Sequence, residues 1–202
     1  MPFPLTLALE TSGPRGGIAL GRADGEIVWS RNFPTGPTAG GELFIALDEC
    51  IRAEPPPERI IVGVGPGSYA GVRLAIAAAT GLGLALDLEA VAVPSVCAYD
   101  VDAPVFHALG DARRGAFYYT AVQGGACRQG PEIVDADQLR SLLASQPEWP
   151  VYSVEALADF PNAQRVVATA ARLLTAPVQS TPRPLEPIYL REPHITRPRV
   201  PA

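Results

Sequence analysis

The chain has 202 residues, 48% of them hydrophobic and 18% charged, with a formal net charge of −5. That composition is enough to bury a core in one large domain or two of about 100 residues, and it excludes a disordered chain. The acidic balance argues against independent nucleic-acid binding. All 16 basic residues are arginine, which excludes the lysine amine that Walker-type phosphate binding and Schiff-base catalysis need.

The first half reads as strand Leu5–Glu10, a turn through Thr11–Gly16, strand Gly17–Gly21, a hairpin turn at Ala23-Asp24-Gly25, and strand Glu26–Asn32. A helix is expected over Gly41–Ala53, ended by Pro55–Pro57. The segment Arg59–Leu86 carries the strongest local signal. The β-branched run Ile60, Ile61, Val62 reads as a buried strand, Gly63, Gly65 and Gly67 as a turn, and Ser68 as the cap of a helix starting near Tyr69. A strand Leu88–Val93 and a short turn or helix after Pro94 complete a βββαβαβ order.

The second half begins the pattern again with strand Val105–Gly110, the acid Asp111, a turn Ala112–Gly115 and strand Ala116–Val122. A strand about Glu132–Val134, a helix Ala136–Ala144, a strand Val151–Val154 and a helix Gln164–Leu174 follow. Two βββαβα-type units imply an internal duplication, dividing the chain into residues 1–102 and a shorter 103–202. From Pro177 the chain is proline-rich; Leu185–Arg191 is expected to pack as an extended clip, and the residues beyond Pro193 to be mobile.

Three cysteines, Cys50, Cys97 and Cys127, form no CxxC pair. With no positively charged export segment at Met1–Ser12, they suit a reducing cytoplasm. The apolar run Leu74–Leu86 is about 20 Å as a helix, short of a bilayer core of roughly 30 Å, so no membrane span is expected.

The turn of Gly65, Gly67 and Ser68 at a helix start has two readings: a cradle for phosphate on converging N–H groups, or a tight turn whose glycines permit close packing. A nucleophilic role for Ser68 is poorly supported, since Pro66 and Ala70 break the GxSxG pattern. Glu10 and Asp111 end the first strands of the two units, where paired acids can hold a metal–nucleotide complex or simply form turns. Metal ligands are otherwise sparse: the two histidines, His107 and His194, are far apart, and His107 on an apolar strand reads as a core residue. The helix Tyr69–Leu86 is apolar almost all round, and Ala77, Gly81 and Ala85 at a spacing of four form a small-residue groove that favours a partner surface.

The blocks LALETSGPRGGIAL, GVGPGSYAGVRLAIAAATGLGLAL, GDARRGAFYY and PIYLR resemble the TsaB (YeaZ) family in order and spacing, from Leu5 to Arg191. The resemblance implies an α/β, two-lobed actin-like ATPase (ribonuclease H-like) fold with duplicated βββαβα-type units. It implies a cytoplasmic, non-catalytic scaffold required for threonylcarbamoyl transfer to adenosine 37 of tRNAs that read ANN codons. The scaffold would bind a TsaD-type catalytic subunit and help recruit a TsaE-type ATPase. It would meet tRNA only through the complex and form a homodimer when alone. The implied partner face is Val72, Arg73, Ile76, Ala77, Thr80, Gly81 and Leu84 with Leu43 and Leu47. No tightly bound cofactor or metal is implied; ATP or ADP at the interface with partners is compatible with the family. An actin-like phosphotransferase or ATPase using Glu10, Asp111 and the Gly63–Gly71 turn is the alternative. The family's usual aspartate in the first turn is Glu10 here.

Overall fold

The computed structural model describes residues 3–36, 39–177 and 185–190. Strands β1 (Thr6–Glu10), β2 (Arg15–Gly21) and β3 (Ile27–Pro34) form a meander, followed by helix α1 (Ala39–Ala53), β4 (Arg59–Gly63), helix α2 (Tyr69–Leu86) and β5 (Ala90–Val93). They build a sheet of order β3-β2-β1-β4-β5, antiparallel across β1–β3 and parallel from β1 to β5. A short 3-10 turn, Ser95–Ala98, leads to the second unit: β6 (Val105–Asp111), β7 (Ala116–Gln123), β8 (Ala126–Asp135), helix α3 (Ala136–Ser145), β9 (Val151–Ser153) and β10 (Gln164–Arg165). Its sheet runs β10-β9-β6-β7-β8, the same topology as the first. The duplication is therefore real.

Strand alternation sorts the side chains into three layers. On one face of the first sheet, Leu7, Leu9, Ile18, Leu20, Ile60 and Val62 pack under α1 and α2. On the opposite face, Ala8, Ala19 and Ile61 meet Phe106, Ala108, Tyr118 and Val122 of the second sheet, with Val96, Tyr99 and Leu173 between them. Leu109, Phe117 and Tyr119 pack outward under α3 around Leu139. The two sheets thus share one interlobe core. Helix α3 opens with a capping box in which Asp135 accepts from Asp137 and Gln138 N–H groups and Gln138 returns a bond to the Asp135 backbone.

The structure corrects two expectations. The helix expected over Gln164–Leu174 is a two-residue strand followed by helix α4 (Ala170–Thr175). The β-branched pair Val166-Val167 stays extended, with Val166 N–H donating to Ser153 O and Val167 O accepting from Asp100 N–H, and Thr169 caps the helix only afterwards. The strand expected over Glu132–Val134 begins six residues earlier, at Ala126, because β8 runs through the Gly130-Pro131 break with irregular pairing to β7. Packing also crosses the expected boundary at residue 102. Helix α4 lies against β1 and β2, and Leu185 and Ile188 join the core of the first lobe, with Ile188 N–H donating to Val64 O at 2.8 Å. The clip expected at Leu185–Arg191 is seen over 185–190; Arg191 and the segment beyond Pro193 lie outside the described residues.

Candidate functional site

Two features stand out: the polar knot where the β1–β2 turn meets the β4–α2 turn, and the outer surface of α1 and α2. In the knot, Ser68 N–H donates to Ser12 O at 2.7 Å, Thr11 Oγ1–H donates to Gly71 O at 2.6 Å, and Gly65 N–H donates to Ser95 Oγ at 2.9 Å. Gly65 O in turn accepts from Ser95 N–H at 2.8 Å, and Ser68 Oγ accepts from Gly71 N–H at 3.3 Å. A Cβ at Gly67 would collide with Ser12 O, and one at Gly71 with Thr11 O. These glycines are there so that two turns can touch, and the Gly65 and Ser68 amides that would face a phosphate are engaged within the chain.

Glu10 completes the knot from the interlobe face of β1. It is fully buried; its Oε1 accepts from Ser12 N–H at 2.6 Å, and among the described residues its Oε2 has no hydrogen-bond partner. Only the missing side chain of Gly63 leaves room for that oxygen. Burial pushes the carboxyl above its usual range, offset in part by Ser12, Ser95 and Thr11. Asp111 stands apart in the second lobe. Its Oδ1 accepts from Arg113 N–H at 2.6 Å, in a turn where Arg113 and Arg114 adopt the left-handed conformation. The two strand-end acids are therefore unlike: one is sealed in, the other shapes a surface turn.

Between them lies a group that sequence reasoning missed. Tyr99 Oη and Tyr118 Oη are 3.2 Å apart in the interlobe core, and Glu155 Oε1 accepts from Asp111 N–H at 2.7 Å. Glu10 and Glu155 both add to the rise in the Tyr99 pKa that burial begins. The duplication offered the one available signal, since Glu155 follows β9 much as the glycine turn follows β4.

The residues present do not fit a metal–nucleotide complex. Among the described residues no three His, Cys, Asp or Glu side chains converge as a metal site. His107 is enclosed, its Nδ1 3.0 Å from Tyr119 Oη and its Nε2 3.2 Å from Gln146 O.

Helix α2 is not buried on all sides. It buries a single stripe, Gly71, Val72, Ala75, Ala78, Ala79 and Gly83. It is long and apolar enough to cross a membrane by length and composition, yet one third of it is buried within the fold. Arg73, Ala77, Thr80, Gly81 and Leu84 point outward, Leu84 with 82% of its surface exposed, while Ile76 is half-buried. Val72 at 3%, Leu43 at 0% and Leu47 at 5% exposure are core residues. Their helical spacing places them toward the sheet, inward of the face expected to meet a partner. On α1 the outward apolar residues are instead Phe44, Ile45 and Ile51. Near the start of α2, Arg73 lies over the Tyr69 ring and donates to its Oη at 2.9 Å, and Tyr189 of the clip packs on the same ring.

Two lobes of identical βββ-topology closed on a common core define an actin-like ATPase fold. Residues 46–178, well over half of the chain, match the family model described as TsaD, tRNA N6-adenosine threonylcarbamoyltransferase. The chain belongs to that family. Among solved structures it is similar to a Pseudomonas aeruginosa protein described as uncharacterized with similarity to peptidase YeaZ, at 22% identity and a TM-score of 0.73, covering 94% of this chain and 100% of that one. It is also similar to YeaZ from Pseudomonas aeruginosa, at 22% identity and a TM-score of 0.67, covering 85% of this chain and 89% of that one. These neighbours agree in fold with the TsaB (YeaZ) resemblance read from the motifs. A sequence search of curated proteins finds no match.

Proposed function

We propose that this chain is a non-catalytic scaffold subunit in threonylcarbamoyl transfer to adenosine 37 of tRNA. It docks on and stabilises a TsaD-type catalytic paralogue in the cytoplasm, and the pair receives a TsaE-type ATPase. The observation that carries the reading is the outward face of α2: a run of small residues, Ala77, Gly81 and Ala85, beside an almost fully exposed Leu84. Small residues let a second helix approach closely, and the burial of an apolar face of this kind drives stable pairing. The engaged amides of the glycine turn, the sealed Glu10 and the enclosed His107 support a subunit that acts by binding. With a net charge of −5, the chain would meet tRNA through its partners.

Size-exclusion chromatography with light scattering, on the chain alone and mixed with a TsaD-type protein, tests this. A homodimer that exchanges into a one-to-one heterodimer supports a single shared face; a chain indifferent to the TsaD-type protein overturns the scaffold reading.

A further inference from the structure

A cavity of about 570 Å³ opens where the edge strand β5 of the first lobe approaches the start of β8 in the second. Its lining includes Phe3, Arg59, Val91 and Leu174, and both Cys97 and Cys127. Cys97 sits in the 3-10 turn after β5, and Cys127 is the second residue of β8, so the two thiols come from opposite lobes. Their sulfurs are 3.4 Å apart, and both residues are only half-buried. The third cysteine, Cys50, is buried in α1 beneath the first sheet's outer face.

We propose that Cys97 and Cys127 form a reversible disulfide clasp between the two lobes, closed by exchange with a small-molecule disulfide that enters this cavity. The sulfurs already touch at 3.4 Å, so closing to the roughly 2.05 Å of a disulfide brings them only a little nearer. One cysteine attacks the reagent as its thiolate, forming a mixed disulfide and releasing one small thiol. The second cysteine then attacks the first cysteine's sulfur and releases the other small thiol. The protein loses two electrons and two protons; the reagent's two sulfurs gain both. Mere packing of two small side chains beside the interlobe core predicts none of this chemistry, whereas a cavity that reaches both sulfurs gives an oxidant its path. Contact with Cys127 and burial hold the Cys97 thiol well above its usual range, so exchange accelerates as pH rises. The closed clasp would fix the angle between lobes that share a core but no covalent bond other than the chain itself.

The experiment incubates the full chain with oxidised glutathione, quenches with iodoacetamide, digests with trypsin and maps the peptides by mass spectrometry. The expected product is an internal link between peptides 74–113 and 115–128, with Cys50 unmodified until the protein is denatured, and removal of the link by excess reduced glutathione. The clasped protein should also melt about 5–10 °C higher than the reduced form, a gain that Cys97→Ser and Cys127→Ser variants both lack. A stable glutathione adduct at either cysteine, a link between two chains, or two thiols that stay unmodified would each overturn the proposal.

Discussion

The hydroxyls of Tyr99 and Tyr118 meet at 3.2 Å in the core between the lobes, each ring almost wholly buried. Tyr99 follows the turn that ends the first lobe and Tyr118 lies on β7 of the second, so this bond reports on how the lobes are held together. Burial pushes the Tyr118 phenol up to about 12, and it likewise raises Tyr99, so both stay protonated and one donates to the other.

Removing either hydroxyl leaves a buried oxygen without this partner. Tyr99→Phe and Tyr118→Phe are each expected to cost about 1–2 kcal/mol. The double variant should cost less than the sum, because the second substitution removes the orphan left by the first. Thermal unfolding of the four proteins checks this; strictly additive losses would show that the two hydroxyls do not act as a pair.

Glu10 predicts a stability that falls with rising pH. Its folded-state pKa lies above the ordinary carboxyl value of 4.5, because burial disfavours the carboxylate. The folded chain therefore holds a proton that the unfolded chain gives up. Its contribution is fully present below pH 4.5 and is lost as pH rises through the folded-state value. Glu10→Gln keeps the shape without the charge and should raise stability at pH 7–8 by about 1–3 kcal/mol, with the gain vanishing at low pH. Denaturant unfolding at several pH values decides it, and a variant less stable than the parent at neutral pH would refute the account.

Much of this fold was legible because strand alternation and glycine punctuation act locally. Ile60–Val62, Gly63–Gly67 and Ser68 read as strand, turn and cap, and the structure has β4, the turn and α2 there. The failures came where distant contacts decide. Val166 and Val167 fit a helical pattern with Ala170 and Leu173, yet bonds to Ser153 and Asp100 keep them extended. The site was less legible than the fold. An acid at a strand end looks the same in sequence whether it is sealed, as Glu10 is, or half-exposed, as Asp111 is. The difference lies in Gly63 and Ser95 on elements far along the chain. The resemblance points to helices α1 and α2 as a partner face, but only the fold shows that the sheet covers the stripe carrying Leu43, Leu47 and Val72.

His107 predicts the opposite pH dependence from Glu10. Desolvation lowers its folded-state pKa below 6.5, against weaker pulls upward from Gln146 O and the charge of Glu148. Its contribution is present above pH 6.5 and is lost as pH falls through the lower folded-state value. Stability should begin to decline below pH 6.5, before most carboxylates titrate. His107→Gln, although less stable at neutral pH because it disturbs Tyr119 and the Trp149 ring, should lose that early decline. Melting temperatures measured down the acid range test it, and an unchanged slope in the variant would assign the decline to another group.

Gly81 separates folding from pairing on α2. It lies in the helix interior, and an added Cβ would meet nothing within 4 Å. In the isolated chain, Gly81→Ala should therefore stabilise the monomer by about 0.5–1 kcal/mol through helix propensity. Gly81→Arg should leave its fold intact, since the longer side chain points into open space. If a partner helix packs on this groove, however, Gly81→Arg inserts a charge and bulk where backbones must approach, and pairing with a TsaD-type subunit should be abolished. Ala77→Asp, one turn earlier and equally exposed, should do the same. Co-purification reads the pairing and circular dichroism the fold. Retained pairing in both charged variants would move the interface off α2, leaving the exposed Phe44, Ile45 and Ile51 of α1 as the next face to test.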